Sequence, residues 1–345
     1  MKVLHVIDTL NIGGAERVFL DITSLLADTS VQVGALLYFN QGPWIEQLDK
    51  RVELNILNRK NKYSLKELYK THKICAKYDI VHAHMSYCYT YITLSRLVFG
   101  GKYKVIFHDH NGDHDAFGSE VGLGLKYMFR PHYYIGVSKK LEQWAVNDLK
   151  VPAKHAYTLI NIIKPNAKIN YQPTPGLHKA FMVSNFRSTK NIEFAIELFA
   201  KLGWPLTVFG NCIEPDYYNS MTALANAHKN IQVKEGVSDF TNIYNDFGIA
   251  IHCAKSESGP LVLLEYLAYG IPFVAYQTGE IADILQREVP ECFLKTFDMD
   301  KWVERIEIIQ HDKELPAKLK KIFARLFSSK AYLEECLKIY QEISC

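Results

Sequence analysis

The 345-residue sequence predicts an α/β protein made of two doubly wound parallel sheets. Three observations carry that expectation. The chain is longer than one hydrophobic core usually serves, because cores split into units of about 100–200 residues. Short β-rich runs alternate with amphipathic stretches, and strands separated by helices need crossovers, which makes the sheets parallel and covers both faces. A proline-rich lapse divides this alternation into two series.

In the first series, strands are expected at Lys2–Asp8, Val31–Phe39, Asp79–His84, Lys104–His108 and His132–Val137. Helices are expected between them near Ala15–Ala27, Ser64–Lys77, Tyr89–Phe99 and Lys139–Leu149. Residues 164–178 hold three prolines and a glycine that disfavour regular elements, and are read as a linker between domains 1–163 and 179–329. The second series has strands at Lys179–Ser184, Leu206–Gly210, Ile231–Glu235, Gly248–Cys253 and Pro272–Tyr276. Its helices fall near Ile192–Lys201, Asp216–Ala227, Leu261–Tyr269 and Ile281–Glu288. From Asp300 onward the pattern is helical, and the apolar spacing of Tyr332–Ile343 suits a helix, about 330–345, that packs back on the first domain. Ligands of such sheets bind beyond the carboxyl ends of the strands, so a cleft between two facing sheets is the expected site.

With 48% apolar and 22% charged residues the chain suits a soluble globular protein and not a disordered one. A net charge of +3 is too small to imply a nucleic-acid partner, although Arg59-Lys-Asn-Lys62 is locally basic. No apolar window approaches the ~18 residues of a membrane helix, and no secretory leader is seen. The seven cysteines are scattered, without a CxxC pair, as expected of thiols in a reducing cytoplasm.

The most informative stretch runs from Ser256 to Glu280. It follows an expected strand, and Ser258, Gly259 and Pro260 turn into a helix that opens near Leu261, since proline suits the start of a helix. The exposed amides and dipole of such a terminus attract anions, and a diphosphate is the natural occupant. Glu257 precedes the helix and Glu265 lies within it, so one carboxylate can meet a sugar's hydroxyls and the other a ribose. Arg187 and Lys190 follow the first strand of the second domain, where two cations would hold the diphosphate and offset its charge as it departs. Gly13 and Gly14 open the first helix and let backbone approach a ligand, but the third glycine of a dinucleotide fingerprint is absent.

These residues resemble the donor signature of the retaining GT-B glycosyltransferases, family four (group 1) type. The resemblance rests on Glu257-x7-Glu265 with Gly270-Ile-Pro and Gly279-Glu280, on Arg187 and Lys190, and on Gly13-Gly14-Ala-Glu16. Ser258-Gly259 departs from the usual Glu-Gly-Phe-Pro run, which bears on sugar identity more than on reaction class. The resemblance implies two facing Rossmann-like domains, with the acceptor bound mainly by the first and a UDP or GDP sugar by the second. It implies same-face substitution without metal or cofactor. Arg187 and Lys190 would stabilise the leaving diphosphate, Glu257 would orient the donor sugar and Glu265 the ribose. Domain closure about residues 163–178 would exclude water.

The resemblance also places a histidine beside the reacting sugar, for which His110 is the first choice and His108 the second. Their segment, His108 to Asp115, is dense in ligand types. Asp109, Asn111, Asp113, Asp115 and Glu120 echo a calcium loop, but His114 stands where glycine is needed and a strand leads in, which argues against a metal. His82 and His84 alternate onto one face of a strand, with His84 expected near the cleft and His82 structural. Asp298-Met-Asp300 reads as a helix N-cap, and Ser138 has no paired base.

The implied acceptor is a glycan or lipid-linked chain in cell-surface polysaccharide synthesis. Peripheral contact with the inner membrane face rests only on the resemblance and on basic, aromatic stretches at Lys60-Asn-Lys-Tyr63 and Lys102-Tyr-Lys104. A catalytically silent sugar-binding partner subunit and a nucleotide-sugar epimerase of the same fold are the alternatives.

Overall fold

A computed structural model describes residues 1–62, 64–110, 128–237, 239–241 and 243–344. The chain divides into two compact units, Met1–Ile163 with Ser329–Cys345, and Lys164–Ser328. The first unit contains β1 (Lys2–Ile7), α1 (Gly14–Leu26), β2 (Gln32–Leu37), β3 (Glu53–Ile56), α2 (Leu65–Cys75) and β4 (Ile80–His84). It continues with α3 (Ser86–Phe99), β5 (Lys104–Asp109), β6 (Tyr133–Gly136), α4 (Lys139–Asn147) and β7 (Ala156–Thr158). All strands pair in parallel in the order β3-β2-β1-β4-β5-β6-β7, so the direction of winding reverses between β1 and β4.

Period-two alternation sorts the central strands between two cores. Val3, Ile7, Ile80 and Ile106 face one cluster, which includes Phe19, Ile22 and Leu26 of α1. Leu4, Val6, Val81 and Phe107 face the other, with Leu68 of α2, Ile92 of α3 and Leu141 of α4.

The second unit contains β8 (Ala180–Val183), α5 (Ile192–Leu202), β9 (Leu206–Gly210), α6 (Pro215–Asn226), β10 (Ile231–Glu235) and β11 (Ile249–His252). It continues with α7 (Leu261–Tyr269), β12 (Phe273–Tyr276), α8 (Glu280–Leu285), β13 (Phe293–Leu294), α9 (Met299–His311) and α10 (Leu315–Leu326). Its parallel sheet runs β10-β9-β8-β11-β12-β13, with the reversal between β8 and β11.

The last helix, α11 (Ser329–Ser344), belongs to the first unit. Tyr332, Cys336, Ile339, Tyr340 and Ile343 recur at helical spacing and are buried against the α1 side of the sheet.

Sequence expectations differ from the structure at short elements and in the proline-rich segment. Strands β3, β7 and β13 are four, three and two residues long and carry too little pattern to be read. The stretch 164–178, expected as the linker between the domains, makes contacts with the second unit. Tyr171 is buried and donates from its hydroxyl to the Phe247 carbonyl at 3.3 Å, and Asn166 N–H donates to the Tyr269 hydroxyl at 2.9 Å. Asp298 and Ser138 are helix N-caps: Asp298 accepts from Asp300 and Lys301 N–H, and Ser138 accepts from Leu141 N–H. No described helix is long and apolar enough to cross a membrane.

Candidate functional site

In an open parallel sheet, ligands gather beyond the carboxyl ends of the strands where the winding reverses. In the second unit that point lies between the segments after β8 and β11. The first carries Arg187 and Lys190, the second Glu257. Gly210 makes room for the first, because a Cβ there would stand 1.9 Å from the Ser184 carbonyl oxygen. The two segments are tied where Lys255 N–H donates to the Thr189 carbonyl at 2.8 Å.

Across this junction Lys190 Nζ donates to Glu257 Oε1 at 2.5 Å, and both side chains are less than one-fifth exposed. Arg187, three residues earlier, is exposed. Beneath the pair, His252 at the end of β11 is 2% exposed, with Nε2 3.8 Å from Glu257 Oε1. Burial pushes the His252 imidazole down to about 4 against the upward pull of Glu257, so it is neutral at pH 7.

The segment around Glu257 is clamped from the far side. Gly279 has φ +85°, and a Cβ on it would press on the Glu257 and Ser258 carbonyls and the Pro260 ring. The next residue, Glu280, donates its N–H to the Ser258 carbonyl at 2.8 Å. Ser258 is partly exposed, and Gly259 and Pro260 are buried. Pro260 is the N-cap of α7, and Leu261 is the first helical residue, as the sequence predicts. No side chain caps that terminus, which leaves its leading amides for an anion. Further along α7, Glu265 accepts a hydrogen bond from the Tyr244 hydroxyl at 3.2 Å.

In the first unit the corresponding reversal lies beyond β1 and β4. Gly13 is the N-cap of α1 with extended backbone, Gly14 is the first helical residue, and the Glu16 carboxylate folds back over Gly13. Five histidines sit on the α1 side of this sheet. Register sets His5 beside His82 and His84 beside His108, and alternation points them to one face. His5, His82, His84 and His108 have no exposed surface, and His110, just past β5, is partly buried. His84, expected near the cleft, is buried, enclosed by Phe19 of α1 and its fellow imidazoles.

Burial lowers His5 to about 3 and His110 to about 4, and holds His82, His84 and His108 well below the ordinary range. Two trios, His5/His82/His84 and His84/His108/His110, keep one ring nitrogen from each member within 4.8 Å of the others. Asn111, Asp113, His114, Asp115 and Glu120 of the calcium-like run lie outside the described residues. So does Tyr63 of the first basic stretch, and Tyr103 of the second is buried, which removes that ring from any membrane-facing surface.

Two family profiles match the chain: "Glycosyltransferase Family 4" over residues 12–165 and "Glycosyl transferases group 1" over residues 166–324. The chain belongs to the group 1 glycosyltransferases. Among solved structures of this GT-B fold, Anabaena HepE in complex with UDP-glucose matches at TM-score 0.82 with 15% identity, over 99% of both chains. TarM of S. aureus, in complex with fondaparinux, alpha-GlcNAc-glycerol and UDP, matches at 0.75 with 12% identity, over 98% of this chain and 99% of that one. A curated relative, the N-acetyl-alpha-D-glucosaminyl L-malate synthase of Bacillus anthracis, is 23% identical over 60% of this chain. That match spans 59% of the relative's length.

Three features of this glycosyltransferase were not read in its sequence. His252 ends an expected strand like any other residue, and only the fold sets it under Glu257. Tyr244, which holds Glu265, comes from a short turn without periodic signal. The gathering of five histidines depends on strand register, which the alternation of His82 and His84 alone does not supply.

Proposed function

We propose that this glycosyltransferase moves a sugar, with retention and without a metal, from a nucleoside diphosphate donor to a glycan or lipid-linked acceptor in cell-surface polysaccharide synthesis. The observation that carries the reading is the Lys190–Glu257 pair at the winding reversal of the second unit, beside the uncapped start of α7. A cation and helix amides suit a diphosphate, and a carboxylate suits sugar hydroxyls. On donor binding Lys190 exchanges Glu257 for phosphate oxygens, which frees the carboxylate to accept from the sugar. Arg187 adds a second cation as charge builds on the leaving group. Glu265, held by Tyr244, takes the ribose hydroxyls, and His110 acts on the transferred sugar.

The HepE and TarM complexes hold UDP or UDP-glucose, which favours a uridine donor here as well. Peripheral contact with the inner membrane face would involve the exposed Lys60, Lys62, Lys102 and Lys104.

The test is a panel of labelled nucleotide sugars with intact protein and with Glu257→Ala, Lys190→Ala and Arg187→Ala. Transfer of one donor, lost in the variants, is expected, with the product's anomeric configuration read by NMR. Binding without turnover would mark a silent partner subunit, and isomerisation of donor without acceptor an epimerase. An inverted product would refute retention.

A further inference from the structure

The Glu257 oxygen that Lys190 holds has a second neighbour. Glu257 Oε1 lies 2.5 Å from Lys190 Nζ and 3.8 Å from Nε2 of His252, the last residue of β11. All three residues belong to the second unit. The His252 ring is buried, and neither of its nitrogens has a hydrogen-bond partner among the described residues.

That isolation carries a cost. Burial keeps the ring neutral at pH 7, so it has one N–H and one lone pair. A buried N–H without an acceptor is a rare defect in folded proteins, and a buried bare lone pair a less rare one. The acceptor nearest to hand is the Glu257 carboxylate, which has only lone pairs to offer. An N–H at Nε2 is drawn toward that carboxylate and a lone pair there would be repelled, so Nδ1 is left with the lone pair. The 3.8 Å separation is about 1 Å longer than a hydrogen bond, a gap that a small turn of the Glu257 side chain closes. While Lys190 is bonded to Oε1 the carboxylate has the stronger, charged partner, and the ring goes without.

Donor binding changes that balance. A diphosphate draws Lys190 to its own oxygens and leaves Glu257, less than one-fifth exposed, without its cation. A carboxylate so placed needs new donors. His252 supplies one from the protein, and the sugar supplies the rest. A neutral ring suits the task, because it brings no charge that would compete with Lys190 for phosphate and it occupies one carboxylate oxygen only.

We propose that His252 is a positioning residue that takes over Glu257 from Lys190 when the donor binds: Nε2–H donates to Oε1, and Oε2 is presented to a hydroxyl of the transferred sugar. This rests on the reading of Glu257 as the group that orients the donor sugar. The Lys190–Glu257 pair is then the resting arrangement, in which each charge satisfies the other until a diphosphate arrives.

The first experiment needs no ligand. Lys190→Met keeps the length of the side chain and removes its charge, which imitates the departure of Lys190. Long-range proton–nitrogen correlation NMR is recorded at pH 7 on the full chain labelled with 15N-histidine, with His252 assigned by the signal missing from His252→Gln. An Nε2–H ring is expected in the intact protein. In Lys190→Met its proton should move downfield as the bond to Glu257 closes, and in Lys190→Met with Glu257→Ala that movement should vanish. An Nδ1–H ring, or a proton that stays in place when Lys190 is replaced, overturns the hand-over.

Kinetics then separate positioning from packing. In the labelled-donor assay His252→Leu should lower kcat/KM about tenfold, the scale of one hydrogen bond to a charged group. His252→Gln, whose side-chain amide can set a donor where Nε2 stood, should stay within about threefold of the intact protein. On a Glu257→Ala background His252→Leu should cause no further loss; the same loss on both backgrounds refutes the positioning role. If Glu257→Ala transfers sugar as well as the intact protein does, or no donor is transferred at all, the reading of the site fails and the spectrum alone decides the hand-over.

Discussion

Lowering the pH from 7 to 5 should weaken the first unit far more than the second. An unfolded histidine titrates near 6.5. His5 and His110 are held down to about 3 and about 4 by burial, and His82, His84 and His108 lie well below the ordinary range. Above pH 6.5 neither state binds protons at these rings, and they add no pH dependence. Below it the unfolded chain takes up protons that the folded core refuses, so stability falls as pH falls until the folded pKa is reached. Over pH 7 to 5 each ring costs about 2 kcal/mol, and five together about 10 kcal/mol, comparable to the whole stability of a domain. In the second unit His252 is the histidine for which such a depression is resolved, which predicts a loss of about 2 kcal/mol there. Hydrogen exchange read by mass spectrometry, corrected for intrinsic rates, gives opening free energies for β1, β4 and β5 against β8 and β11. A drop several-fold larger in the first group is expected. Equal drops, or none, would show that the histidines are solvated or charged in the native state and refute the reasoning.

Lys190→Ala and Glu257→Ala should each reduce kcat/KM by about 10²- to 10³-fold in a donor-transfer assay, the range for groups that meet charge in the transition state. Gly210→Ala should lower stability by about 1–3 kcal/mol, since its Cβ meets backbone, and a thermal scan of the variant checks this. Ile339→Ala on α11 should cost about 2–5 kcal/mol, seen as earlier urea unfolding of the first unit. Prolonged treatment with EDTA should leave transfer unchanged, as the proposed chemistry uses Lys190, Arg187 and helix amides in place of a metal.

Much of the fold was legible because long, strongly patterned elements dominate it. The helix Leu261–Tyr269 and the strands Leu206–Gly210 and Ile231–Glu235 match the expected residues, bounded by Gly, Pro and polar turns. The candidate site segments could be placed for a related reason: Arg187, Lys190 and Glu257 follow strands, where an open sheet exposes its loops. What stayed hidden depends on tertiary placement. Tyr171 lies in a stretch whose prolines announce irregular chain, and nothing in the pattern shows that the ring is buried. His84 alternates with His82 as expected, but its burial comes from α1, which the local pattern does not bring across the sheet.

The account centres on the second unit as the holder of a nucleoside diphosphate through Lys190 and Arg187. Calorimetric titration of the full chain with UDP and GDP, repeated on Arg187→Ala, tests this most directly. Saturable binding of one nucleotide, weakened at least tenfold in the variant, is the predicted result. Absence of binding by both nucleotides, or equal affinity in the two proteins, would contradict it.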